Sequence, residues 1–91
     1  DPVEDLGWYT CSLYRAEHFP EGWTVEDFLA RYVERGGVEP DPARLRFWQI
    51  FAELKLAIIG LRAVRNVEEG RAAGPAPQVD RVIEALNADI A

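Results

Sequence analysis

Methionine is absent from the 91 residues, histidine and cysteine occur once each, and 10 basic residues face 16 acidic ones, for a formal charge of −6. Each scarcity excludes something. A single Cys11 cannot close an internal disulfide, and with only His18 beside it the chain cannot assemble a tetrahedral Cys/His zinc set, so no metal site is expected. The acidic balance argues against nucleic acid, which is gripped by clustered Lys and Arg that displace counterions. It would suit a cationic ligand, although solubility alone explains most acidic surfaces. Long apolar runs are also missing. The longest uncharged one, Leu56 to Leu61, is bracketed by Lys55 and Arg62, whereas crossing a bilayer takes roughly 20 apolar residues. It reads as a buried helical segment, and no membrane partner is expected. No secretory-leader pattern is read either, and a lone thiol suits a reducing compartment, so the expected location is cytoplasmic.

Phosphate-binding loops are missing in the same way. Gly36-Gly37 and the Gly/Pro stretch between Arg71 and Pro77 have neither a following Lys-Ser/Thr nor a preceding strand. Ser12 has no evident base. Cys11, among Tyr9, Leu13 and Tyr14, reads as a packed or idle thiol in preference to a nucleophile. His18 reads as a residue favoured at a helix C-terminus in preference to a catalytic group.

What remains is helical punctuation and helical period. Hydrophobic residues make up 48% of the chain, ten of them aromatic, which supplies one small core over residues 1–91. The spacing of Leu6, Tyr9, Leu13 and Ala16 predicts a first helix from about Val3 to His18, stopped by Phe19-Pro20-Glu21-Gly22. Thr24 followed by Asp27 is a capping box. Behind it Val25, Phe28, Leu29, Tyr32 and Val33 form one apolar face, closed by Gly36-Gly37. Asp41-Pro42 opens the longest helix, about Pro42 to Glu68, apolar around most of its girth and therefore expected to be central with neighbours on several sides. Residues 71–78 read as a mobile linker and 78–89 as a last helix. No strand alternation is found. The expected fold is all-α, an antiparallel bundle of about four helices around a long central one.

The opening Asp1-Pro2-Val3-Glu4 is itself a helix start: an N-cap acid, a Pro at the first helical position and a Glu at the third. Such a signal is useful between elements, which suggests the tail of a larger protein. Most carboxylates, such as Glu26/Asp27 and Glu68/Glu69, suit helix ends or polar faces. Asp5 resists that treatment. It precedes Leu6-Gly7-Trp8, and an acid–Leu–small–aromatic string inside a helix implies close packing against another piece of chain.

The string D-P-V-E-D-L-G-W resembles the G-D-P-x-x-D-L-A/G-W segment of aminoglycoside phosphotransferase and choline-kinase-like proteins, which share the protein-kinase-like fold. The likeness is greatest to the group related to acyl-CoA dehydrogenase-associated phosphotransferase domains. Tyr14-Arg15, the Gly-Gly helix end and the Phe47-Trp48 pair continue the order of elements seen in that group. The resemblance implies the C-terminal part of a kinase-like C-lobe, in a parent that uses ATP and Mg²⁺ to phosphorylate a small hydroxylated acceptor. The family's His-Gly-Asp…Asn loop and Ile-Asp-Trp string are absent from this sequence, so the chain is expected to carry no catalytic residue and to bind no cofactor itself. By position, Asp5 would buttress the catalytic loop and Asp1 would cap the helix entrance, with an exposed first-turn acid as the plain alternative for Asp5. Arg15, Trp48 and Lys55 would lie near the acceptor, although a core Trp and a snorkelling Lys account for the last two as well. The expected partner is the rest of the same domain. A rival reading is a free-standing helical interaction module. Separated from a parent, the chain is expected to bare an apolar patch around Leu6, Gly7 and Trp8, whereas a free-standing module would cover it or offer one narrow groove.

Overall fold

A computed structural model describes residues 1–71, 74 and 80–90. Among them every regular element is an α-helix: α1 Pro2–Thr10, α2 Ser12–His18, α3 Val25–Glu34, α4 Pro42–Glu68 and α5 Asp80–Ile90. The all-α expectation is met. Of the expected linker only Arg71 and Gly74 are described; the remainder of 71–78 and the first residues of the expected last helix lie outside the described residues.

The caps form as the sequence signals require. The Asp1 carboxylate accepts the Val3 N–H at 3.0 Å ahead of Pro2. Thr24 and Asp27 bond reciprocally, Asp27 N–H to the Thr24 hydroxyl at 3.1 Å and Thr24 N–H to the Asp27 carboxylate at 2.9 Å. Asp41 accepts the Arg44 N–H at 3.0 Å. At the end of α3, Gly36 takes φ 101°, and the N–H groups of Gly36 and Gly37 return to the carbonyls of Val33 and Tyr32. That left-handed closure is open to glycine at little steric cost.

The expected helix from Val3 to His18 is instead two. Cys11 is extended, φ −64° and ψ 151°, and ends α1 with its N–H on the Gly7 carbonyl. The cause lies 41 residues away. Ser12 donates its hydroxyl and its N–H to the Glu53 carboxylate at 2.6 and 3.3 Å, so α4 supplies the acceptor that an N-cap side chain would otherwise give to α2. An extended Cys11 turns the Ser12 donors toward it.

α1 lies on α4 at closest range. A Cβ built on Gly7 would meet Trp48 Cβ at 2.4 Å and the Trp48 carbonyl carbon at 2.6 Å, so only a residue without a side chain allows this approach. Leu6 and Gly7 are buried by it and Trp8 is half-buried. The apolar patch expected around these three is therefore covered within the chain. Leu45, Ala52 and Ala57 bury the inner side of α4, which α5 also joins. α3 buries none of its own residues and makes only slight contact with the other helices, chiefly through Phe28, whose ring lies 5.4 Å from Phe19 and 6.5 Å from Tyr9.

The other face of α4 is bare. Phe47, Phe51, Leu54, Ile58 and Leu61, at alternating four- and three-residue steps, are 37–56% exposed. Among the described residues the long helix thus has neighbours on one side and not, as expected from its composition, on several. The radius of gyration, 15.2 Å, exceeds the roughly 12 Å of a compact chain of this length, because the 27-residue α4 stretches the molecule to 48 Å along its longest axis.

Candidate functional site

Two small cavities flank the α1–α4 contact. The first, about 160 Å³, lies between the outer side of α1 and α4 and is lined by Glu4, Asp5, Trp8, Trp48, Phe51, Ala52 and Lys55. It gathers three of the residues singled out in the sequence: Asp5, Trp48 and Lys55. Asp5 is exposed and has no hydrogen-bond or ion-pair partner among the described residues. Trp48 is half-buried, edge-on to Phe51 at 5.6 Å. The Lys55 ammonium stands 4.9 Å over the Phe51 ring and 3.4 Å from the Glu4 carboxylate, both weak attractions in an exposed setting. The alternative of a snorkelling Lys and a packed Trp fits these contacts as well as an acceptor site does.

Arg15 and Asp1 stand apart from this cavity. Arg15 is exposed on α2, at the rim of a broad cleft of about 570 Å³ running along Phe19 to Glu26. Asp1 caps α1, as expected, and pairs with Arg44 of α4, tying the two helix starts together. His18 behaves as a C-terminal residue: its Nδ1 lies 2.9 Å from the Tyr14 carbonyl and its ring stacks on Tyr14 at 4.0 Å.

The second cavity, about 150 Å³, is polar and was not foreseen. It is lined by Thr10, Cys11 and Ser12 at the α1–α2 break, Arg15, the α4 residues Arg46, Gln49, Ile50 and Glu53, and Asp89 of α5. Thr10, itself buried, donates to the Leu6 carbonyl at 2.7 Å and accepts from Gln49 Nε2 at 2.9 Å. Glu53 is 0% exposed. Its Oε1 is held by Ser12, while Oε2 receives no N–H or O–H from any described donor. Asp89, whose ionised carboxyl is an acceptor only, borders the same cavity. Burial first, then the adjoining Asp89 carboxyl, pushes the Glu53 pKa up to about 7, against the opposing pull of the Ser12 hydroxyl and N–H. Burial likewise raises the Cys11 thiol above its usual range, with the Glu53 charge adding to it and the Tyr14 and Leu13 N–H groups opposing it. A neutral, packed thiol is the outcome, in line with the sequence reading.

Glu53 carries a signal in the sequence, a lone acid within Ile50-Phe51-Ala52-Glu53-Leu54. The same signal marks Lys55, and only the tertiary contacts tell the buried charge from the exposed one. No helix of the described residues is long and apolar enough to cross a membrane, and no three of their His, Cys, Asp or Glu side chains converge as metal ligands. Compared with protein-family models, curated proteins and solved structures, the chain has no significant match.

Proposed function

We propose that this chain is the C-terminal helical subdomain of a kinase-like, ATP- and Mg²⁺-dependent small-molecule phosphotransferase, an antiparallel bundle around α4 that buttresses the catalytic loop and shapes the acceptor pocket. The reading begins from the resemblance of D-P-V-E-D-L-G-W to the phosphotransferase segment. The observation that carries it is the seat of Asp5, a carboxylate without a partner among the described residues on a helix pinned to α4 through Gly7; its exposure by itself fits the plain first-turn acid equally. A carboxylate on so firm a base can accept backbone N–H bonds from a loop laid over it and hold that loop still. Trp48 and Lys55 border the same cavity and would face the acceptor; Arg15 lies elsewhere and is the weaker candidate. Phosphoryl transfer needs a base and groups for the metal and the γ-phosphate, and none of its steps is assigned to residues of this chain.

The exposed stripe on α4, together with the covering of Leu6, Gly7 and Trp8, favours a second reading, a helical module that binds a partner along Phe47, Phe51, Leu54, Ile58 and Leu61 without catalysis. Reading the codons upstream of Asp1 separates the two. In-frame His-Gly-Asp…Asn and Ile-Asp-Trp strings support the phosphotransferase; a start codon immediately before Asp1 overturns it. In the intact enzyme Asp5→Ala should lower turnover by about tenfold or more while leaving nucleotide affinity unchanged, as expected when a positioned group loosens. Unaltered turnover would sink the buttress role.

A further inference from the structure

α5 is attached without a buried side chain of its own: none of Asp80–Ile90 is buried, and Ile83 and Ile90 remain 37% and 63% exposed. Its C-terminal turn is joined to the rest of the chain by polar groups. Arg46 Nη2 donates to the Asp89 backbone carbonyl. Asp89 shares the lining of a cavity with Glu53 of α4 and with Thr10, Cys11 and Ser12 of the α1–α2 break. Glu53 is wholly buried with one oxygen unpartnered. Two adjoining carboxyls repel when both are ionised, and one proton between them converts repulsion into a hydrogen bond.

We propose that Glu53 and Asp89 form a one-proton site that latches α5 onto α4, so that proton uptake docks the C-terminal helix and proton loss frees it. The groups around the site leave the proton this role. α1 presents only the neutral Thr10. α2 presents Ser12, already bonded to Oε1, and the exposed Arg15. On α4, Arg46 is engaged with the Asp89 carbonyl and Gln49 with Thr10. Cys11, its thiol raised by burial, is uncharged. Neither guanidinium donates to Glu53 among the described contacts. The sign of the pH effect follows. A carboxyl whose pKa lies near 7 when α5 is docked, and lower once α5 leaves and water reaches it, makes the docked state the one that binds more protons. Docking is therefore strongest at acid pH and weakens as pH rises toward 7, by at most about tenfold per pH unit for one proton, then levels off.

Amide hydrogen exchange of the full chain tests this, with α5 peptides followed from pH 5.5 to 8.5 and corrected for intrinsic rates. The expected result is an opening constant for α5 that grows by up to about tenfold per pH unit until near pH 7. Glu53→Gln keeps an oxygen for Ser12 and offers Asp89 an N–H without a titrating proton; it should hold α5 closed at every pH. Asp89→Asn replaces the second carboxyl by an amide that can donate to Glu53 and should flatten the profile equally, which serves should the buried Glu53→Gln variant fail to fold. An α5 opening constant independent of pH in the wild type, or a slope that survives in either folded variant, would overturn the latch.

Discussion

Replacing Gly7 by alanine adds one methyl group where α1 meets α4, and the structure sets its cost. The new Cβ would stand 2.4 Å from Trp48 Cβ, 2.6 Å from the Trp48 carbonyl carbon and 2.9 Å from the Gln49 nitrogen. Carbon atoms rest at roughly 3.5–4 Å, and two of these three neighbours are backbone, so no rotamer change relieves the clash. The helices must move apart by about an ångström, which also loosens Leu6 against α4. At an unobstructed helical site Gly→Ala gains about 1 kcal/mol. Overpacking costs about 1–3 kcal/mol, and a clash with backbone belongs at the upper end. The net is a loss of about 2 kcal/mol, which in a domain this small lowers Tm by roughly 8–16 °C. Thermal and urea unfolding followed by circular dichroism would measure it. A Gly7→Ala protein as stable as the wild type, or more so, would refute the backbone-to-backbone approach of α1 and α4.

Two further outcomes are expected. Thr24→Ala removes the acceptor of the Asp27 N–H and should weaken α3 by about 1 kcal/mol, seen as amide exchange in α3 roughly fivefold faster; because α3 buries so little, global Tm should hardly change, and an unaltered α3 exchange rate would argue against the cap. Cys11 is 1% exposed, with its thiol raised by burial, so an aromatic disulfide reagent should react in native buffer only as fast as the chain opens and rapidly in urea. Fast modification of the native protein would contradict the packed α1–α2 break.

Much of the local structure was legible because its causes are local. Thr24 and Asp27 are neighbours in sequence and satisfy each other's N–H groups whatever surrounds them; Gly36 closes α3 because a residue without Cβ can turn left-handed there. Asp1 and Asp41 capped their helices for the same reason. Asp5, Trp48 and Lys55, chosen on different grounds, line one cavity because α1 and α4 meet at Gly7, where the sequence already implied close packing. Arg15 lies on α2, apart from them, beyond the break at Cys11 that nothing in the Tyr9–Tyr14 stretch announces.

By itself, then, the amino-acid order determined where α1 starts, where α2 stops, both ends of α3 and α4, and that all the described elements would be helical, since capping, glycine conformation and apolar period act over a few residues. The tertiary structure alone decided which apolar side of α4 is covered and which is bare, why one expected helix became two, and that Glu53 is buried while Lys55 is not. Each of these depends on a charge or a surface meeting a partner tens of residues away. The free energy of burying a carboxylate or a leucine belongs to the pair of surfaces brought together, and neither segment carries it alone.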